Sequence, residues 1–148
     1  MRESCMSGSV WGAPSNERPY RDRNPGVRLI SLQKDARADE IPKELGLELF
    51  TDFDEGRDAF VDTAAIIENL DLVISADSAP AHLAGALGVP TWVALKYVPD
   101  WRWLLDRADT PWYPMVRLFR QRGVGDWSSP LHEMSRALAA AEMRLSPP

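Results

Sequence analysis

Cysteine and long apolar runs are both scarce in this sequence. A single cysteine among 148 residues excludes an internal disulfide, so nothing requires an oxidising compartment. Asp, Lys or Pro interrupts the longest apolar stretches well before the ~20 residues of a membrane-spanning helix, and residues 1–10 lack the apolar core of a signal peptide. We therefore expect a soluble, cytoplasmic protein without a membrane span.

Positive charge is scarce as well. The chain has 17 Lys and Arg residues against 22 Asp and Glu residues, which gives a net charge of −5. Because nucleic acids attract basic surfaces, this balance argues against nucleic acid as a partner, although it allows a local anion site. The sequence has neither a G-x-G-x-x-G fingerprint nor a P-loop. This disfavours a regulator that binds a nucleotide through one of these two motifs.

The composition is that of one globular domain. Hydrophobic residues make up 45% of the chain and charged residues 26%, as in ordinary folded proteins. Residues 1–26 are rich in loop and turn residues, so we predict a poorly organised N-terminal segment there. The folded domain is predicted to span residues 27–145.

Strand and helix patterns alternate along that domain. We predict strands at residues 27–33, 47–50, 72–74, 91–95 and 115–120, and helices at residues 57–70, 78–87 and 131–145. Such alternation is typical of α/β proteins, whose crossover connections produce parallel sheets. The predicted fold class is therefore α/β, a Rossmann-like parallel sheet with helices on both faces.

The segment at residues 71–90 carries the clearest chemical signal. A buried strand ends, turns at Asp77 and Ser78, and continues directly into a helix whose first turn contains Pro80. This places a helix N-terminus at the carboxyl edge of a parallel sheet, where its N–H groups and dipole favour phosphate. His82 follows Ser78 by four residues and lies on the same helix face, within reach of a bound phosphate or sugar oxygen.

Structural roles for the same residues stay open. Asp77 or Ser78 would suit a helix cap, and His82 would suit a core position hydrogen-bonded to backbone. A Ser-His hydrolase is disfavoured because no G-x-S-x-G elbow surrounds Ser78. Asp77 and His82 lie five residues apart with no second His or Cys nearby, so no metal site is expected.

A tryptophan-rich loop follows the predicted strand at residues 91–95. Four of the six tryptophans fall between Trp101 and Trp127. Their rings would either stack on a base or sugar, or wedge the loop onto the domain. The arginines of this region would pair either with nearby aspartates or with a ligand. The arginines are Arg102, Arg107, Arg117 and Arg120, and the aspartates are Asp100, Asp106 and Asp109. Lys34, at another strand end, is either a phosphate partner or a solvated lysine.

Two motifs in this sequence resemble known glycosyltransferases. The stretch DTAAIIENLDLVISADSAPAHLAGALGVP at residues 62–90 resembles the C-terminal domain of family 9 glycosyltransferases, the heptosyltransferase-like enzymes of the GT-B fold. The stretch PDWRWLLDRADTPWYP at residues 99–114, continued to residue 127, resembles the glycosyltransferase domain that follows tetratricopeptide repeats in many bacterial proteins. The likeness covers roughly residues 27–140.

The resemblance implies a donor-binding lobe for a nucleotide-diphosphate sugar, one half of a GT-B fold. It places Asp77, Ser78 and Ala79 around the diphosphate and has His82 stabilise the leaving group. Such enzymes hold the leaving diphosphate with side chains and a helix dipole, so no metal or other cofactor is expected. Lys96, where a proline is common in the family, adds a cation near this site.

One lobe supplies only half of a GT-B site. The general base belongs to the acceptor-binding lobe, so the resemblance assigns no base here and implies a separate N-terminal lobe or tetratricopeptide-repeat partner. Ala79-Pro80 replaces a more usual small-residue pair and removes one N–H donor. We therefore predict a glycosyltransferase donor-binding domain, incomplete as a lone chain. The alternative is a non-catalytic, truncated glycosyltransferase-like module that acts in protein interaction.

Overall fold

The sheet formed by the described residues is wholly parallel and has six strands. The computed structural model describes residues 2–7, 27–34, 46–50, 52–56 and 58–145. The strands are β1 (Arg2–Ser7), β2 (Val27–Ser31), β3 (Glu48–Leu49), β4 (Leu72–Ala76), β5 (Thr91–Leu95) and β6 (Val116–Arg120). Their spatial order is β3-β2-β1-β4-β5-β6, and every neighbouring pair is parallel. This is the strand order of a Rossmann fold, with the reversal of order between β1 and β4.

Helices cover both faces of the sheet. In the part of the chain that the structure describes, they are α1 (Val61–Ile67), α2 (Ala79–Ala86) and α3 (Ser128–Leu145), with a 3₁₀ turn at Trp101–Trp103 between β5 and β6. Val73 of β4 shares a buried cluster with α1 and α2 residues, whereas its neighbour Ile74 shares one with Met134 and Leu138 of α3. Because successive strand residues face opposite sides, α1 and α2 lie on one face and α3 on the other. The predicted α/β class is confirmed.

The first strand corrects the prediction of a poorly organised segment at residues 1–26. Arg2–Ser7 pairs with β2 on one side and with β4 on the other, in the middle of the sheet. Central parallel strands are usually apolar runs, whereas the sequence RESCMS is mostly polar and gave no such signal. The domain therefore includes this strand, and residues 8–26 lie outside the described residues.

Helix α1 is shorter than predicted because both of its ends are fixed locally. Phe60 adopts a left-handed conformation before it, and the Asp54 carboxylate accepts hydrogen bonds from the Asp62 and Thr63 N–H groups and the Thr63 hydroxyl. Partial burial alone would raise the pKa of Asp54, but these hydrogen bonds hold it below its ordinary value. Asp54 thus caps α1 from outside the helix.

Helix α3 begins three residues earlier than predicted, again because of a carboxylate. Asp126 accepts hydrogen bonds from the Ser128 and Ser129 hydroxyls and from the Ser129 N–H group. The Ser129 hydroxyl contributes most to lowering the pKa of Asp126. Pro130 lies in the first turn, where no N–H is needed. Within the described part of the chain, no helix is both long and apolar enough to cross a bilayer.

Candidate functional site

The turn between β4 and α2 lies at the carboxyl edge of the sheet, beside the point where strand order reverses. Ser78 is the residue before α2 and is extended, with φ −155° and ψ 168°. Its hydroxyl makes no capping bond; it lies 2.8 Å from the Ser75 hydroxyl and donates to the Ala76 carbonyl at 3.3 Å. The side chain of Ser78 therefore leaves the first turn of α2 uncapped, contrary to the capping alternative for this residue.

The first turn of α2 has few N–H groups to offer. Pro80 has none, and the Ala81 N–H donates to the Ser78 carbonyl at 3.1 Å. Asp77 and Ser78 are half-buried, whereas Ala79 is exposed. An anion at this turn would therefore depend on side chains nearby as well as on the helix dipole.

His82 is held by side chains from three places in the fold. Its ring stacks on Trp103 with centroids 5.0 Å apart, and its Nδ1 lies 3.2 Å from the Tyr113 hydroxyl. Its Nε2 lies 3.8 Å from Asp77 Oδ1. The side chain is 31% exposed, so it is not the core histidine bonded to backbone that the sequence left open. Asp77, Ser78 and His82 thus surround one turn, as their spacing predicts.

Tyr113 is a site residue that the sequence analysis missed. It lies 31 residues beyond His82, in the loop before β6, and its ring packs edge-on to the imidazole with centroids 5.8 Å apart. Gly85 permits this approach, because a Cβ there would lie 2.6 Å from Tyr113 Cγ. A glycine inside a helix costs stability relative to alanine. Gly85 in the predicted helix was therefore the feature of the sequence that could have indicated close packing of another group at this position.

We expect Gly85→Ala to destabilise the protein by up to about 2 kcal/mol. Overpacking against the root of the Tyr113 ring costs about 1–3 kcal/mol, and the better helix propensity of alanine returns about 1 kcal/mol. In a Tyr113→Ala background the same substitution should instead stabilise by up to about 1 kcal/mol, because its obstacle is gone. Urea unfolding of the four proteins in a double-mutant cycle measures this reversal of sign. A gain in stability in the wild-type background would contradict the packing described.

The two lysines lie at the same edge of the sheet but at different distances from the turn. Lys34 follows β2, which β1 separates from β4, and its Nζ donates to the Asp54 carbonyl at 2.8 Å. Lys96 follows β5, the direct neighbour of β4, and is exposed. Lys96 is therefore the closer cation by strand position, and Lys34 already braces the loop before α1.

The tryptophan-rich loop between β5 and β6 has one buried indole and two exposed ones. Trp103 is fully buried among side chains of α2, β5 and β6, so it wedges the loop onto the domain. Trp101 and Trp112 are 72% and 56% exposed, and the Arg102 guanidinium lies over the Trp101 ring, 5.9 Å from its centre. The Trp112 indole N–H donates to the Arg102 carbonyl at 2.7 Å. Within the described residues, the buried Trp103 indole N–H has no hydrogen-bond partner.

Most arginines of this region form ion pairs or hydrogen bonds with residues of the same loop. Arg102 pairs with Asp100 at 3.2 Å, and Arg107 pairs with both oxygens of Asp109 at 2.6 and 2.8 Å, as predicted. Arg120 instead donates to two loop carbonyls, those of Arg107 at 2.9 Å and Trp103 at 2.6 Å. Burial lowers the pKa of Arg120 from its ordinary value. The Arg117 guanidinium lies 4.6 Å from the centre of the Phe119 ring.

Acidic and histidine side chains do not cluster as metal ligands in the described ranges. No three His, Cys, Asp or Glu residues lie grouped so that they would hold an ion there. The titratable groups of the site are instead the pair Asp77 and His82, joined to Tyr113 through the imidazole. The site thus offers an acceptor, a ring that both donates and accepts, and a phenol in one chain of contacts.

Comparison with known proteins identifies the family of this chain. The model of glycosyltransferase family 9 (heptosyltransferase) matches residues 19–95, just over half of the chain and including Lys34, Asp77 and His82. Protein FlbA of Caulobacter vibrioides is 35% identical over 120 residues, which are 77% of this chain and 20% of FlbA. The chain thus spans about a fifth of that relative's length. No solved structure matches. The chain belongs to glycosyltransferase family 9.

Proposed function

We propose that this chain binds the nucleotide-diphosphate sugar donor of a glycosyl transfer reaction. One observation carries the proposal: in a family 9 chain, the turn of Asp77 and Ser78, followed by His82 on α2, lies where the strand order of a parallel sheet reverses. Ligands of open α/β sheets bind in that crevice. The diphosphate would lie at the start of α2, near Asp77, Ser78 and Ala79, with His82 one turn further along.

Charge stabilisation of the leaving group is the chemistry this lobe would contribute. In transfer, the bond from the sugar C1 to the diphosphate oxygen breaks and a bond from C1 to the acceptor oxygen forms. Negative charge then collects on the diphosphate, where the positive end of α2 and an N–H of His82 would stabilise it. We propose that this needs no metal ion.

Lys96 is the better placed of the two lysines for the same role. It is exposed directly after β5, the strand next to β4, whereas Lys34 would have to leave the Asp54 carbonyl before reaching a ligand. The base that removes the acceptor proton is proposed to come from a second lobe, supplied by a longer chain or by a tetratricopeptide-repeat partner. The length of FlbA, about five times the matched segment, is compatible with such an arrangement.

Thermal-shift titration tests donor binding directly. We expect one of UDP, GDP and ADP, with its sugar conjugates, to raise the melting temperature by several degrees at ~100 times its Kd, because that adds about 2.7 kcal/mol. His82→Ala should lose most of this shift, while His132→Ala, at the second and exposed histidine on α3, should keep it. EDTA should leave the shift unchanged.

Failure of every nucleotide to shift a folded wild-type protein would refute donor binding. The second candidate function would then gain: a non-catalytic module that makes protein contacts through the tryptophan-rich loop. Its support is the apolar surface of that loop, where Val98, Trp101 and Leu105 are 69%, 72% and 70% exposed.

A further inference from the structure

We propose that Tyr113 is a positioning residue that fixes the proton of His82 on Nε2, the nitrogen facing the β4–α2 turn. Tyr113 lies beyond the residues that the family model matches and comes from a different loop. The role of this proton in ligand binding rests on the proposed function, whereas the contact between Tyr113 and His82 is independent of any ligand.

The partners on the two sides of the ring select one tautomer. Asp77 Oδ1 lies 3.8 Å from Nε2, and a carboxylate only accepts, so it favours an N–H at that nitrogen. A neutral imidazole then has a lone pair on Nδ1. The Tyr113 hydroxyl, 3.2 Å away, is a donor that satisfies this lone pair. The chain of contacts therefore runs from the Tyr113 O–H to Nδ1, and from the Nε2–H towards Asp77.

Packing holds Tyr113 and the imidazole in this relation. The Trp103 ring is fully buried and stacks on one face of His82 at an interplanar angle of 21°. Gly85 lets the Tyr113 ring approach α2 within a distance that any Cβ would prevent. Packing therefore orders the Tyr113 ring and the imidazole before any ligand binds. The contact between the hydroxyl and Nδ1 then costs no further side-chain entropy when a ligand binds.

The consequence at the site is a donor aimed at the turn before any ligand arrives. A diphosphate oxygen at the start of α2 accepts hydrogen bonds only, so an unprotonated Nε2 would repel it and an Nε2–H would bind it. Tyr113 thus acts through His82 rather than on the ligand.

Nitrogen NMR of histidine tests the tautomer without any ligand. The chain has two histidines, His82 and His132, so [15N]histidine labelling with a His132→Gln variant assigns both. At about pH 8.5, well above the ordinary pKa of an imidazole, we expect His82 to carry its proton on Nε2. Tyr113→Phe keeps the packed ring and removes the donor, and should move the Nδ1 resonance downfield towards that of an imine nitrogen without a hydrogen bond. Tyr97→Phe, at an exposed tyrosine, should leave it unchanged.

Either of two NMR results overturns the proposal: a wild-type His82 protonated on Nδ1, or a Tyr113→Phe spectrum no different from that of Tyr97→Phe. Titration with UDP, GDP and ADP adds the functional readout, for which Tyr113→Phe should raise Kd about three- to tenfold, the size of one hydrogen bond. If no nucleotide binds the wild type, donor binding fails and the NMR result still decides the positioning. An unchanged Kd beside a changed spectrum would refute the purpose assigned to Tyr113.

Discussion

Trp103→Ala is expected to lower the free energy of unfolding by about 3–5 kcal/mol. The indole is fully buried and packs with Val93, Leu95 and Leu118, so its removal leaves a cavity that the sheet cannot close. Urea unfolding at 25 °C measures the loss. Since small domains have about 5–15 kcal/mol of stability in total, this change takes a large share of it.

Two further tryptophan variants separate packing from other effects. Trp101→Ala removes the same side chain two residues earlier, where it is 72% exposed, and should cost under about 1 kcal/mol. Trp103→Phe should cost less than Trp103→Ala, because the phenyl ring fills part of the cavity and neither variant loses a hydrogen bond of the indole N–H within the described residues. Equal losses from Trp101→Ala and Trp103→Ala would contradict the wedge role of Trp103.

Arg120→Met is expected to cost about 2–4 kcal/mol. The guanidinium donates to the Arg107 and Trp103 carbonyls, and hydrogen bonds from a charged group are worth about 1.5–3 kcal/mol each. Arg120 is half-buried, so water that reaches the freed carbonyls offsets part of that sum. Methionine keeps the apolar stem but leaves both carbonyls without this donor. Urea unfolding gives the loss in stability, and limited proteolysis of the loop between β5 and β6 shows where it arises.

Arg117→Met on the same strand is the matched control. Its guanidinium is exposed and lies over the Phe119 ring, a contact worth about 0.5–1 kcal/mol at such sites. Arg120→Lys keeps the charge but lacks the planar fork that reaches two carbonyls, so it should recover less than half of the loss. The Arg120 bridge is the pair of hydrogen bonds from its guanidinium to the Arg107 and Trp103 carbonyls. Equal losses of stability from Arg117→Met and Arg120→Met would show that the loop does not depend on this bridge.

Strands that are buried on both faces could be predicted from the sequence almost to the residue. The sequence predicts β5 at 91–95, and the structure has it at Thr91–Leu95. The agreement is close because a strand that is covered on both faces is a continuous apolar run, which the sequence shows directly. β1 was missed because its position is decided by backbone pairing with two neighbours and not by an apolar pattern. Helix α1 ends early because the N–H groups of Asn69 and Leu70 bond back three residues, a tightening that periodicity does not report.

The site was predictable only in the part that one helix determines. Helical spacing alone places Ser78 and His82 on the same face of α2. Trp103 and Tyr113 reach the imidazole from a loop without periodicity, whose path depends on the Arg120 bridge and on the space left by Gly85. Such contacts depend on tertiary packing, and their only traces in the sequence are the tryptophan density of the loop and a glycine, Gly85, inside a helix.

The central place of β1 has a consequence for how the chain is made. On the ribosome β1 emerges before both strands that flank it, and its partner β4 follows about 70 residues later, as in the pair Ser4 and Leu72. Until then one edge of β1 has no partner, and unpaired edges invite pairing with other chains. Sheets built from such distant pairs also fold slowly. We therefore expect the nascent chain to need protection by chaperones until β4 has been synthesised, although the finished sheet pairs that same strand on both sides.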